Sequence, residues 1–428
     1  MSIGNRAARL KAIAGLFEAI EARHGSIAAL VDRDAAARGV LTVDTCNDDA
    51  GAGGGGLGPA HLRALFSHDV CAVRVRGFYP RQAARRLARG LVDMRGDDAQ
   101  QQEAPSFRNW AISDGAGAAV ERSSVDTLGT PYNVALAAGS EGVDAYFRDA
   151  LPTMHHLRRL SGRVAAAAAA GGEYGDAIGS SLAAAQTLTA KRIERVERWG
   201  LGLSPIDKLR LELDECWPDG ALVAKRKGKG GDNDDGGGAA VDFTHVAGLA
   251  RVMVPPSAAA AQHRDGFCHV DDLGVMSPKQ GLFSANIYLD LPGAAADAAA
   301  AADAAADAAP ASAEGGLEIW PLYIRSRWDF YRNAGTLAKL LQQDAAAQRA
   351  LRDKLRAAGA EPLVVPVEPG DLVLLCAQRP HAVRPFFGSS GDGDDGDDDA
   401  AAGGGSGARV SVQSFITHEQ GKPLVLDA

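Results

Sequence analysis

Apolar residues recur at helical spacing through the first half of the chain and at strand spacing through the second. Leu10, Ile13, Phe17 and Ile20 predict an amphipathic helix over residues 6–22. GAGGGGLG, Gly51–Gly58, reads as a flexible linker. His61–Ser67 suits a short helix, Val70–Phe78 alternates as a half-buried strand does, and Pro80–Met94 returns to helical spacing. Residues 95–135, with Trp110, Gly129 and Pro131, predict an ordered loop region. Gly142–Val164 and Ala183–Trp199 read as helices, and a serine cap followed by proline opens another at Ser204, SPIDKLRLELDECW.

From residue 221 the pattern becomes strand-like. Ala221–Lys225, Gly248–Val254, Leu282–Leu291, Gly316–Leu322, Leu363–Pro366, Asp371–Cys376 and Arg409–Thr417 are short, rich in Val, Ile, Leu and Phe, and separated by Gly, Pro and Asp. Such a series suits a β-barrel or sandwich, here interrupted by a helix over Thr336–Ala358. Four biased segments, Gly228–Gly238, Ser257–Ala261, Gly293–Ala313 and Gly388–Gly407, have too little apolar surface to offset their ordering entropy and predict mobile loops. As insertions they lengthen the apparent spacing between motifs on either side of them.

Composition narrows the class. The 428 residues allow one large domain or two to three ordinary ones, and 46% apolar with 23% charged residues is ordinary for a soluble globular protein. No run of about 18 strongly apolar residues exists, which argues against a membrane-spanning helix. Early acids, Glu18 and Glu21, and no apolar segment ahead of a cleavage site argue against a secretory signal, leaving an organellar transit peptide open. The five cysteines, Cys46, Cys71, Cys216, Cys268 and Cys376, form no CxxC pair and predict a reducing compartment, the cytoplasm or an organellar stroma or matrix. Formal charge is −9, but twelve acids sit in three low-complexity segments, and without them it is +3. The acidity belongs to the inserts and says little about partners.

One stretch carries chemistry. QHRDGFCHVDDL holds two His-x-Asp motifs, His263/Asp265 and His269/Asp271. At strand period the first and third residues share a side, so each motif can offer an imidazole and a carboxylate together. Two imidazoles and one carboxylate around a divalent ion, with positions left open, point to non-heme Fe(II) oxygenases. With ten histidines in the chain the motif alone is weak, and its strength comes from the segments C-terminal to it. SANIYLDLP supplies Asn286 and Tyr288, then comes GGLEIW, then EPGDLVLLCAQRPHAV delivers His381, and RVSVQSFI opens with Arg409 and Ser411. His381 and Arg409 are 28 residues apart, or 8 without the biased loop, which predicts a hairpin between neighbouring strands. A cation and a hydroxyl beside the metal would anchor the far end of a dicarboxylate. Arg264 counts against the first His-x-Asp pair, because a cation beside Fe(II) is costly unless turned outward. His269, 19 residues before Tyr288, is therefore preferred, with His263 and Asp265 as the alternative.

The set HVD, NIYL, GGLEIW, PGDLVLL with its following His, and the RxS of RVS resembles the Fe(II)- and 2-oxoglutarate-dependent dioxygenases of the prolyl-4-hydroxylase-like branch. The resemblance covers approximately residues 245–418, with weaker similarity over 70–94. It implies an α+β protein with a double-stranded β-helix (jelly-roll) core, flanking helices and long inserts. Iron is then held by His269, Asp271 and His381. Arg409 and Ser411 bind the distal carboxylate of 2-oxoglutarate, Tyr288 assists, and no catalytic side chain is needed beyond the metal ligands. The implied activity is hydroxylation of a C–H bond of a small molecule, amino acid or peptide, using O2 and releasing succinate and CO2, with ascorbate a candidate for maintaining the iron. The implied organisation is an N-terminal helix and linker over 1–59, and an oxygenase domain over 60–428 with helical support to 220 and the β-helix core from 221. No membrane partner is implied, and no basic aromatic groove points to nucleic acid. The alternative keeps the barrel but makes it a non-catalytic or 2-oxoglutarate-independent, cupin-like metal or metabolite binder.

Other residues carry open alternatives. Arg384 competes with Arg409 for the anchoring role. Arg251, on the strand before the motif, suits either a salt bridge or a substrate carboxylate. Asn286 shares a side with Tyr288. Trp320 and Trp328 read as packing residues or substrate platforms. Cys268 and Cys376 read as inert thiols or ligands. His155 and His156, adjacent on a helix, diverge too far for joint metal binding, and the Lys225–Lys229 cluster reads as a solvated loop. The helices over 60–215 are expected to supply walls of the substrate pocket.

Overall fold

Short apolar strands from both halves of the chain assemble into one large sheet. A computed structural model describes residues 15–44, 56–97, 106–109, 125–169, 203–227, 242–254, 268, 270–271, 273–292, 314–340, 345–384, 386 and 407–428. Residues 15–24 form α1, and a short 3-10 turn spans Ile27–Leu30. Then come α2 (Arg33–Arg38), β1 (Val40–Asp44), α3 (Pro59–Phe66), β2 (Ala72–Arg76) and α4 (Arg81–Asp97). Strands β3 (Phe107–Asn109) and β4 (Val125–Leu128) lead to α5 (Tyr132–Ala137), α6 (Gly139–Ala169) and α7 (Pro205–Cys216). Strands β5 (Ala221–Val223), β6 (Lys225–Lys227), β7 (Asp242–Thr244), β8 (Leu249–Met253), β9 (Gln280–Asp290) and β10 (Leu317–Ile319) are next. The chain closes with α8 (Arg327–Tyr331), α9 (Ala334–Lys339), α10 (Ala345–Ala357), β11 (Leu363–Val365), β12 (Leu372–Cys376), β13 (His381–Val383), β14 (Arg409–Glu419) and β15 (Leu424–Asp427).

The large sheet has the order β1-β2-β12-β9-β14-β8-β4-β3, with β15 joining β14 to β5. All its pairings are antiparallel except β1 with β2 and β15 with β5. A second sheet has the order β11-β10-β13, and β6 pairs with β7. Strand alternation gives the large sheet two faces. Phe283, Ala285, Ile287, Leu289, Leu372, Leu374, Val410 and Val412 point to one, where they pack with Leu62 and Phe66 of α3, Leu87 and Leu91 of α4, Leu157 of α6 and Leu209 of α7. On the other, Ala72, Tyr288, Val373 and Leu375 meet Leu317, Ile319 and Val365 of the small sheet. The fold is thus mixed α+β, with helices outside, a mostly antiparallel sheet in the middle and a small sheet across from its inner face. Among the described residues no strand pairing closes the two sheets into a double-stranded β-helix.

Several expectations change. The strand expected over Val70–Phe78 is not half-buried: four of the five residues of β2 are buried, because β1 and β12 flank it and both faces are covered. The region 95–135 contributes β3 and β4 to the sheet edge instead of being only loop. The helix expected over Thr336–Ala358 is two helices, α9 and α10. Helices α3, α4, α6 and α7 cover the outer face, so they do not wall a pocket on the inner one. The Ala183–Trp199 helix, the biased segments apart from Gly407, and Trp110 lie outside the described residues. No described helix is long and apolar enough to cross a membrane.

Candidate functional site

The site begins where the chain changes sheets. β12 ends at Cys376 in the large sheet, and β13 enters the small sheet with His381 opposite Ile319. The turn between them is pinned by Arg379 N donating to the Cys376 carbonyl (3.1 Å) and Trp320 N to the Pro380 carbonyl (2.8 Å). The same turn receives Asp271, whose N–H donates to the Ala377 carbonyl (3.2 Å). One turn therefore sets the backbone of both residues.

His381 is buried, and its Nδ1 lies 2.8 Å from the Arg379 carbonyl. A carbonyl only accepts, so Nδ1 is the donor to it and Nε2 is the ring nitrogen turned towards Asp271. Nε2 is 3.8 Å from Asp271 Oδ2, too long for a hydrogen bond. It is shorter than two metal–ligand bonds of about 2.1 Å laid end to end, so one divalent ion can reach both atoms. An imidazole held through its far nitrogen by a backbone carbonyl is the usual setting of a metal-binding histidine. Among the described residues no group of three His, Cys, Asp or Glu side chains gathers to hold a metal, so His381 and Asp271 supply two of the three donors that a ferrous ion would need. His269, and the alternative pair His263 and Asp265, lie outside the described residues.

A buried ion pair backs this turn. Arg379 is fully buried, with Nη2 3.0 Å from Asp32 Oδ2 and Nη1 donating to the Leu322 carbonyl (3.0 Å). Asp32 also caps α2, its Oδ1 accepting from Ala35 N at 3.1 Å. Neither residue stood out in the sequence.

On the facing sheet, cross-strand register gathers a polar set. Ser411 pairs with Tyr288 on one side and Arg251 on the other, and Arg251 pairs with Thr127. Arg409, paired with Met253, shares their face. Arg409 is buried, its Nη2 donates to Tyr288 Oη (3.3 Å), and its guanidinium lies 5.0 Å from the Tyr288 ring centre. Its Nη1 reaches Met253 Sδ (2.9 Å), while Nε is buried with no hydrogen bond. Gly315 adopts φ +67°, and a Cβ there would lie 3.0 Å from Pro292 Cδ and 3.5 Å from Arg409 Cδ, so glycine suits both its backbone and its closeness to the arginine stem. Next to Tyr288, Asn286 and Gln413 both donate to Ser284 Oγ (3.0 and 2.8 Å). Burial lowers the Arg251 pKa to about 10; Asp271 opposes this and Arg409 adds to it, so the three groups share one electrostatic neighbourhood.

Several sequence readings are corrected or resolved. β13 and β14 are not a hairpin: they lie in different sheets, because β13 pairs with β10 whereas β14 pairs with β8 and β9. Arg384 lies 3.7 Å from Glu318 Oε1, and this acid of the small sheet also holds Arg352 (3.2 Å), so Arg384 is engaged away from the anchor. Burial pushes the Cys268 thiol up to about 12, which disfavours a thiolate ligand. Trp320 packs in the core under Arg352, while Trp328 is exposed beside His24. His156 faces Met94.

No family model matches the chain, and no curated protein matches it. The structure is similar to that of an N-substituted L-amino acid dioxygenase from Burkholderia ambifaria AMMD, at 13% identity and TM-score 0.25, over 56% of this chain and 72% of that one. It is also similar to SnoN, a non-heme alpha-ketoglutarate-dependent epimerase from nogalamycin biosynthesis, at 12% identity and TM-score 0.28, over 85% of each chain. A third likeness is to the hypothetical protein JW0805 from Escherichia coli, at 10% identity and TM-score 0.34, over 96% of this chain and 83% of that one. The functional case rests on the residues of this chain.

Proposed function

We propose that this chain is an Fe(II)- and 2-oxoglutarate-dependent oxygenase on a double-stranded β-helix, hydroxylating a C–H bond of a small molecule, amino acid or peptide. The observation that supports it most is His381, locked through Nδ1 with its Nε2 3.8 Å from the Asp271 carboxylate, opposite a sheet face that carries Arg409, Tyr288 and Ser411. In this reading His269, Asp271 and His381 hold the iron. When bound, the metal supplies the redox chemistry that converts 2-oxoglutarate and O2 to succinate and CO2, placing one oxygen atom in succinate and the other in the substrate C–H bond.

The chain's own residues bind and orient. Arg409 offers its fork to the distal carboxylate of 2-oxoglutarate. Tyr288 accepts from Arg409, which leaves its own O–H to donate to the same carboxylate, and the Ser411 hydroxyl lies on the neighbouring strand. All three are buried, which strengthens charge-assisted bonds by excluding water. Arg379 contributes its carbonyl, which holds the His381 ring through Nδ1.

The test is anaerobic titration of Fe(II)-loaded protein with 2-oxoglutarate, followed by succinate formation on admitting O2. A visible charge-transfer band and iron-dependent succinate are expected. His381→Ala should abolish both, and Arg409→Gln should weaken 2-oxoglutarate binding by about ten- to a hundredfold. Loaded wild-type protein that does not bind 2-oxoglutarate would sink the proposal, and an Arg409→Gln variant that binds it normally would remove Arg409 as the anchor.

A further inference from the structure

We infer that Arg251 is a second anion anchor on the inner face, and that the substrate carries a carboxylate which it binds. This rests on the oxygenase reading and extends it to a substrate class. Arg251 is partly buried in the middle of β8, between Ser411 and Thr127 and diagonal to Arg409 across the register. Its Nε is buried without a hydrogen bond. Among the described residues no acid forms an ion pair with it, and Asp271 acts on it only through its charge.

The protein's structural arginines also carry a buried nitrogen without a hydrogen bond, Arg379 at Nε among them, but each of them meets an acid. Arg74, on the same sheet, meets Asp371 at 2.6 Å, and the fully buried Arg379 meets Asp32 at 3.0 Å. A partly buried guanidinium with no ion-pair partner keeps donors for an anion that arrives later, and Arg251 is placed in this way. The sheet also turns away the acid that could have served. A bulge in β9 opposite Val410/Ser411 shifts the alternation, and the side chain of Asp290 then feels Arg85, Arg89 and Arg81 of α4.

Charge decides the ligand class. The described part of the site carries two guanidiniums and one carboxylate, a surplus of one positive charge. Ferrous iron and the 2-oxoglutarate dianion cancel each other and leave this surplus among the described residues unchanged. One further negative charge neutralises it, and the planar fork of arginine matches a carboxylate with two parallel bonds. Arg409 is already seated on Tyr288, which leaves Arg251 for the second anion.

The test uses the protein loaded with Fe(II) and 2-oxoglutarate under nitrogen. Short monocarboxylic acids and amino acids are titrated by calorimetry, each alongside its primary amide. At least one acid should bind wild type while its amide does not, and Arg251→Gln should weaken that acid by about tenfold or more, with Arg251→Lys falling between. The 2-oxoglutarate affinity of Arg251→Gln reports that the variant is folded and that the neighbouring anchor is intact. Binding of no acid, equal binding of acid and amide, or unchanged binding in Arg251→Gln overturns the inference. A loss of 2-oxoglutarate affinity in Arg251→Gln as large as in Arg409→Gln also overturns it, by making Arg251 the co-substrate anchor. Failure of wild type to bind 2-oxoglutarate at all counts instead against the oxygenase reading.

Discussion

His68 sits in a left-handed backbone position (φ 62°) and is buried against Phe283 and Tyr323. Burial, with the positive charge of Arg379, lowers its pKa to about 4. Between that value and the ordinary 6.5 the unfolded chain holds a proton that the folded chain does not. Stability therefore rises with pH across this window and is lost as pH falls from 6.5 towards 4, by about 3 kcal/mol at full extent. His68→Asn keeps a residue that tolerates the left-handed region and removes the titration. Urea unfolding from pH 7.5 to 4.5 should show a flatter stability–pH curve in the variant than in wild type, and equal curves would refute the assignment. At this scale the sequence was most informative where chemistry is carried by residue type and spacing. Tyr288, Arg409 and Ser411 do share one face, and His381 does approach Asp271. Arg379 was illegible, because its partner Asp32 is 347 positions away and no spacing rule connects them.

Elements were legible where an apolar run stands between turn residues. Strands β9, β12 and β14, and even the three-residue β5, β10 and β11, show such runs, whereas β13 has only three residues directly after the proline that ends a turn, and β15 has four. Spacing along the chain also cannot say which sheet a strand joins, which is why β13 and β14 read as a hairpin. The consequence for the site is mechanical. His381 sits on the first residue of a short strand, so its aim depends on the preceding turn, and that turn is held by Asp32 through Arg379. Asp32→Asn should leave Arg379 buried and uncompensated, costing about 3–5 kcal/mol of stability. Measured well below its lowered melting temperature, the variant should also bind Co(II) about tenfold more weakly, as loss of outer support for a metal ligand does. Reduced stability with unchanged Co(II) affinity would make the pair structural only.

The dependence on Asp32 bears on where the functional unit starts. A boundary near residue 59 is expected from the glycine-rich stretch, yet residues before it build into the same molecule. Ile27 and Leu30 pack with Trp320, Leu322 and Leu337, Ala35 joins the cluster between the two sheets, and β1 extends the large sheet beside β2. Removing residues 1–59 would strip two large apolar side chains worth about 1.5–3 kcal/mol each and leave Arg379 unpaired at about 3–5 kcal/mol. The total, about 6–11 kcal/mol, is comparable with the whole stability of an ordinary domain at about 5–15 kcal/mol. A chain starting at residue 60 should therefore be insoluble or unfolded by circular dichroism, whereas one starting at residue 14 should melt cooperatively and keep its Co(II) affinity. A folded, metal-binding 60–428 fragment would show that the N-terminal segment only decorates the sheet. If the longer chain alone folds, the turn that carries His381 and the N-terminal segment form one cooperative unit, and no independent domain can be cut at the glycine stretch.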